Sequence, residues 1–252
     1  MTEESFHYGL TVAILAIAGV TFLLLYFISA PYGRHGRSGW GPMIPARLGW
    51  IVMESPSVFL FSWFYFQGAH WDATIPMILC IIWLTHYVHR TFIYPLRASS
   101  SGKEIPITII GMSLLFNSCN SYINARWISG FGTYPSDVLV YWPLLIGGIL
   151  FIIGMCVNIH SDTILLKLKK SSSGEYQIPK KGMFRLVSCP NYLGELIEWL
   201  GWAIASMSLA GLSFFVFTFA NLVPRAHTHH QWYKDTFSEY PSDRKAIFPG
   251  MY

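Results

Sequence analysis

Apolar runs of about 17 to 23 residues recur along this chain, and short polar connections separate them. A bilayer hydrocarbon core of roughly 30 Å takes about 20 helical residues to cross. Backbone amides in lipid must be satisfied internally, so runs of this length are read as membrane helices. Composition agrees. Only 12% of the residues are charged and 53% are apolar, which excludes a disordered chain, a nucleic-acid-binding tail and an ordinary soluble domain. The expected fold is an all-α, polytopic integral membrane bundle of seven transmembrane helices, with residues 1–252 forming one domain.

The spans are predicted at Tyr8 to Ser29, Ala46 to Phe66, Ile75 to Tyr94, Ile105 to Ala125 and Val138 to His160. Two shorter spans share Tyr192 to Val223, with a break near Ala210-Gly211. The first run is too long for a signal peptide and follows acidic Glu3 and Glu4, so it is read as a retained span. Counting sides then puts every one of the 17 Lys and Arg residues except Arg126 on one face of the membrane. The rule that basic loops stay inside predicts an outer N-terminus and a cytoplasmic C-terminus. The aromatic and charged tail from Gln231 to Tyr252 is expected to pack against the cytoplasmic mouth.

Several features carry little. Cys80, Cys119, Cys156 and Cys189 have no close spacing, and the first three sit in apolar runs, as buried hydrophobes do. His86, His89, His160, His227, His229 and His230 gather near the basic side, but they fall short of the HxxxH and HxxHH boxes of membrane di-iron oxidases. They are read as interfacial or anion-facing groups, and no metal set is expected. Neither GxGxxG nor GxxxxGK[ST] occurs, so no Rossmann or P-loop device would hold a nucleotide.

Polar groups inside spans are informative because a mid-membrane charge costs about 2.5–3.5 kcal/mol on insertion scales. Glu54 lies within Trp50-Ile51-Val52-Met53-Glu54-Ser55-Pro56. It reads either as a packing carboxyl beside a proline kink or as a buried acid that stays protonated and donates to a ligand oxygen. Asn158 and Asp162 are four apart, and so are Asn191 and Glu195, which stacks an amide and an acid on one helical face in each case. Glu198 and Trp202 extend the second stripe. Such faces suit hydroxyls and carboxamides, or serve as polar glue between helices. Basic loops beside them would attract a multiply charged phosphate or anionic lipid headgroups.

Together these stretches resemble the steroid 5α-reductase family, membrane enzymes that reduce a Δ4-3-ketosteroid with NADPH. The resemblance rests on Met53-Glu54-Ser55-Pro56-Ser57, on His86 to Phe92 (HYVHRTF) and on Gly154 to Asp162 (GMCVNIHSD). Asn191 to Trp199 (NYLGELIEW) and the tail His230 to Pro249 complete it. It implies a substrate-polarising role for Glu54 and a catalytic one for Tyr87. It implies cofactor contacts at Asn158, Asp162, Tyr176, Asn191, Glu195, Arg225, His229 and Tyr233, and substrate contacts at Trp50 and Phe116. Arg34, Lys103 and Lys169 are candidates for the cofactor phosphates. Departures are Lys169 and Gly111, where relatives often carry arginine, and Gln177 in place of an arginine after Tyr176. The steroid would enter from the bilayer and NADPH from the cytoplasm, in a monomer of the bacterial inner membrane or the endoplasmic reticulum; no nucleic acid is expected. A reductase of enoyl thioesters or other sterols is the first alternative. A seven-span receptor or transporter is the second, disfavoured because the polar residues gather toward one side rather than lining a path across.

Overall fold

The computed structural model describes residues 2–28, 39–98, 103–171 and 176–251. The candidate phosphate ligand Arg34 lies outside the described residues. Helix α1 (Glu3–Phe27) starts at an N-cap, Thr2, whose hydroxyl accepts from the Ser5 amide, and Glu3 and Glu4 complement the helix dipole in its first turn. The second apolar run is not one helix. It divides into α2 (Ala46–Glu54) and α3 (Pro56–Tyr65), because Pro56 has no N–H to continue the ladder and suits the first position of a new helix.

The third run forms α4 (Thr74–Val88), then a wider turn over His89–Ile93 in which the Tyr94 amide reaches back five residues to the His89 carbonyl, then α5 (Tyr94–Arg97). Helix α6 (Ile107–Arg126) also ends in a widened turn, Trp127–Phe131. Helices α7 (Trp142–Ser171), α8 (Pro190–Ser206) and α9 (Leu209–Thr236) complete the bundle. A small antiparallel ribbon, Met43–Pro45 against Glu104–Pro106, accompanies the helices, with Ile44 opposite Ile105.

Three of these helices, α1, α7 and α9, are long and apolar enough to cross a membrane. Their boundaries correct the expected spans. The last break lies at Met207-Ser208, not Ala210-Gly211: Met207 takes a left-handed conformation (φ 44°) that stops α8, and the Ser208 hydroxyl accepts from the Gly211 amide to start α9. Helix α9 then continues well past Val223, carrying Arg225, His229 and Tyr233 on its last turns. Helix α7 begins at Trp142 and runs past His160 to Ser171, so Asn158 and Asp162 lie inside it.

Helices α7 and α8 lie antiparallel at glycine contacts. A Cβ on Gly194 would meet the Asn158 nitrogen at 2.6 Å and the Gly154 carbonyl at 2.7 Å; Gly147 and Gly201 face each other in the same way one heptad along. Only glycine allows this approach. Elsewhere the bundle is filled by aromatic side chains: Trp83, Trp199 and Trp202 are fully buried with Phe61, Tyr87 and Phe214 around them.

Contacts between connections define two ends. At one, Arg126 pairs with Glu3 at 2.7 Å, the His70 amide bonds Ser129, and Tyr134 donates to the Ser206 carbonyl. At the other lie the ribbon, the stacked Tyr26 and His227 rings, and the tail, whose Lys245 and Ala246 pair with Leu186, Ser188 and Cys189. The tail therefore packs on the connection just ahead of α8.

Candidate active site

The close seam between α7 and α8 builds one wall of the site. Asn158 donates to the Asn191 backbone carbonyl at 3.0 Å, and Asn191 donates to Asp162 Oδ1 at 3.1 Å. The two predicted amide–acid stripes thus face each other and form one polar patch. Asn158 and Asp162 are buried and Asn191 and Glu195 half-buried, so the hydrogen bonds to Asp162 are largely shielded from solvent.

Arg90 enters this patch from the wide turn between α4 and α5. Its guanidinium lies 3.5 Å from Asp162 Oδ2 and 3.9 Å from Glu195 Oε2, and sits over the rings of Trp50 (4.7 Å) and Tyr94 (4.9 Å). The Trp50 indole donates to the Arg90 carbonyl at 3.1 Å. Among the described residues Glu195 has this long ionic contact and no hydrogen bond, which leaves its carboxylate available to a donor. Sequence reasoning had counted Arg90 toward topology and within the His86 to Phe92 stretch, but not as a site residue. It lies within the π turn, where the widened ladder departs from regular helical phase.

The opposite wall carries Glu54 and Tyr87. Glu54 is the last residue of α2, held at the proline break; Asn117 of α6 donates to the Met53 carbonyl at 2.6 Å and to Glu54 Oε2 at 3.4 Å. Tyr87 is 3% exposed, and its phenol has Glu54 and the fully buried Ser57 as polar neighbours. The Tyr87 ring packs on Trp83 and Trp199 at 4.8 and 5.6 Å. Directly beside it, His86 Nδ1 and Glu198 Oε1 are 2.6 Å apart. Asn117, Asn120 and Asn124 form an amide stripe on α6 that sequence reasoning passed over, although its spacing of three and seven marks one helical face. Phe116 is stacked on Phe217 at 3.9 Å, at the edge of the aromatic core.

The remaining candidates separate from this centre. Lys103 and Lys169 are brought side by side, and the Lys103 ammonium lies 6.0 Å over the exposed Tyr176 ring. On α9, the Arg225 guanidinium lies over Tyr192, whose hydroxyl is 3.2 Å from His229 Nε2. Tyr192 follows Asn191 directly, so this group borders the patch. Tyr233 is buried one step further out, stacked on Tyr240 at 5.2 Å, and Tyr240 is bonded to Ser188 and Arg244. A cavity of about 270 Å³ lies at the Arg126 end, lined by Trp127, Tyr134, Tyr141, Trp142, Ser206 and Met207 among others. It includes none of the candidate residues, and its aromatic rim fits an interfacial belt better than a reaction centre.

Residues 103–252 match the family model described as 3-oxo-5-alpha-steroid 4-dehydrogenase. The chain belongs to that family. It is 47% identical over 239 residues to the steroid 5-alpha-reductase DET2 of Arabidopsis thaliana, covering 92% of this chain and 91% of the relative. The DET2 protein of Gossypium hirsutum is 42% identical, covering 99% of this chain and 98% of the relative. The human 3-oxo-5-alpha-steroid 4-dehydrogenase 1 is 40% identical, covering 88% and 86%. The resemblance drawn from the motifs is thereby borne out. The family match begins at Lys103, so it holds the α7–α8 patch and the tail, whereas Glu54 and Tyr87 lie ahead of it.

Proposed function

We propose that this chain reduces the Δ4 double bond of 3-ketosteroids with NADPH to give 5α-3-ketosteroids. The reading follows the activity named for its relatives. We infer further that the bundle crosses the membrane seven times, N-terminus out, with the end bearing the ribbon and tail in the cytoplasm. The gathering of Arg97, Lys103, Lys180, Lys181 and Lys245 on connections at that end supports this orientation.

The observation that carries the reading is the meeting of two unlike walls. One presents amides and carboxylates suited to a cofactor, and the other presents two hydrogen-bond donors suited to a carbonyl. The donor set fits the nicotinamide half of NADPH: ribose hydroxyls and a carboxamide amine need acceptors, and Glu195 and Asp162 provide them in a largely shielded patch. Lys103, Lys169, Arg225 and His229 border the approach at the basic end, where phosphates would lie. NADPH bound there would supply the hydride.

The chain's own residues then do the rest. Tyr87 and a protonated Glu54 donate to the C3 carbonyl oxygen and draw electrons toward it. As the β-carbon gains the hydride, negative charge builds on that oxygen, and donors already in place stabilise it without reorganisation. A proton added at the α-carbon restores the ketone, so the double bond gains one hydride and one proton. Burial of both walls excludes water from the reacting atoms.

Purified protein mixed with NADPH and a Δ4-3-ketosteroid should give a steroid product heavier by two hydrogens, with 5α configuration, and one NADPH consumed per product. Turnover of an enoyl thioester with none of any Δ4-3-ketosteroid would overturn the assignment.

A further inference from the structure

We propose that His86 and Glu198 form a positioning pair that sets where the Tyr87 phenol stands. The inference rests on the role given to Tyr87 above and adds the residues that hold it there.

The pair is unusually dry. The side chains of His86 and Glu198 are 6% and 0% exposed, and the 2.6 Å contact joins α4 to α8. Glu198 Oε2 is buried and has no hydrogen-bond partner among the described residues. Burying such a pair brings a desolvation cost that well-packed apolar side chains of similar volume would avoid. Stability alone is therefore a poor reason to place a carboxylate here, whereas a fixed distance between two helices is a good one.

The surrounding geometry shows what needs fixing. The backbones of α4 and α8 make little direct contact; aromatic rings fill the space between them. Two polar rungs cross it: His86 to Glu198, and Arg90 to Glu195. The members of each helix are about one turn apart, so the rungs run in register between antiparallel helices. The wide turn His89–Ile93 begins between His86 and Arg90, where helical phase is least determined by the ladder itself. The lower rung holds Arg90, the second residue of this irregular turn. The upper rung holds His86, whose neighbour is Tyr87 and whose ring meets the Tyr87 ring edge-on at 4.9 Å. Trp199, adjacent to Glu198, closes against both His86 (4.6 Å) and Tyr87 (5.6 Å). A rotation of α4 that broke the His86–Glu198 contact would carry the Tyr87 phenol away from Glu54.

Glu198→Gln, Glu198→Ala and Tyr87→Phe, with the two double variants, test this in detergent-purified full chain. Glutamine keeps an acceptor for the imidazole N–H, so Glu198→Gln should stay within about threefold of the starting kcat. Glu198→Ala should lower kcat about 30-fold, leave NADPH Kd within about threefold, and raise the isotope effect with 4-deuterated NADPH as hydride transfer becomes limiting. Rates are taken per NADPH-binding site, so partial misfolding does not enter. In a Tyr87→Phe background the same Glu198→Ala change should cost less than about threefold, because its effect runs through the missing hydroxyl. An equal cost of Glu198→Ala with and without Tyr87 would overturn the positioning role. So would Glu198→Gln as slow as Glu198→Ala, or an NADPH Kd that rises as far as kcat falls. A wild-type rate in Tyr87→Phe itself would instead remove the role given to Tyr87, a separate failure.

Discussion

The two walls of the site are built on opposite principles. The α7–α8 wall is regular: two unbroken helices, glycines where their backbones touch, and polar residues at spacings of four. The wall that carries Glu54, Tyr87 and Arg90 is irregular at each of them. Glu54 sits at a proline break, and Tyr87 and Arg90 flank the start of a π turn. Holding a ligand of fixed shape asks for a constant distance between helices, which periodic small residues provide. Aiming donors at one oxygen asks side chains from separate turns to converge, which a straight helix does not allow. Under the proposed function, regularity would serve binding and the breaks would serve chemistry.

The comparison breaks most readily at the seam. Gly194→Val would force a branched side chain against the Asn158 nitrogen and the Gly154 carbonyl, both backbone atoms that cannot turn aside. The expected cost is about 3 kcal/mol or more, seen as loss of monodisperse protein and of NADPH binding together. Gly148 is the control, since nothing lies within 4 Å of a Cβ there. Gly148→Ala should purify and bind normally. A well-folded Gly194→Val protein with unchanged thermal stability would mean that the seam is not the rigid element.

Next in size are the donors of the irregular wall. Tyr87→Phe should lower kcat about 10²-fold, near 2.7 kcal/mol, with NADPH affinity unchanged, because the phenol acts on charge that appears only in the transition state. Glu54→Leu should cost more than Glu54→Gln, since glutamine can still donate through its amide. The double variant with Tyr87→Phe should fall short of the product of the single effects if both act on one oxygen. Single-turnover oxidation of NADPH with excess steroid reads the chemical step. A full product of the two effects would place them on different atoms.

How much could be read in the sequence follows the same division. The α7–α8 wall was legible because its information is periodic: Asn158 with Asp162 and Asn191 with Glu195 mark two faces, and the structure turns those faces together. The motif stretches holding Glu54 and Tyr87 were also visible. Their supporting contacts were not. No spacing rule announces that His89–Ile93 opens into a wider turn, so Arg90 looked like a topology-setting cation near the end of its span and His86 like an interfacial histidine. Glu198 was seen as an extension of the α8 stripe, yet its partner comes from α4, 112 residues earlier. The Met207-Ser208 break was misplaced by a few residues, because the chain stops at a non-glycine residue in a left-handed conformation, and the nearby Gly211 is the more usual signal.

A smaller effect sharpens the binding side. Asn191→Ala removes the donor to Asp162 and Glu195→Ala removes the available carboxylate, and both act before any bond is broken. Each should weaken NADPH binding about tenfold, near 1.4 kcal/mol, with kcat at saturating cofactor changed less than about threefold. Titration of NADPH by fluorescence, beside steady-state kinetics, separates the two. If these variants bind NADPH as before and fail to turn over, the regular wall belongs to the steroid and the division proposed here is reversed.

The smallest effect lies at the rim, where neither wall rule applies. Lys103 and Lys169 stand side by side near Tyr176, with Lys103 exposed just ahead of the strand Glu104–Pro106. Two adjacent ammonium groups repel each other, and a phosphate carrying close to two negative charges would relieve that repulsion. The 2′-phosphate that distinguishes NADPH from NADH is such a group. Lys103→Ala should therefore weaken NADPH binding about threefold, near 0.7 kcal/mol, the range of exposed ion pairs, and leave NADH binding unchanged. Lys169 is less exposed than Lys103, so Lys169→Ala should cost somewhat more. Raising ionic strength from about 0.05 to about 0.5 M should shrink the NADPH preference, and should shrink it less in each variant, because one screened charge is already gone. The Asn191→Ala loss, made in a largely shielded patch, should be nearly independent of salt. Equal weakening of both cofactors by Lys103→Ala would move these lysines to the diphosphate common to both. A salt-independent preference would place the 2′-phosphate deeper, among Arg225 and His229.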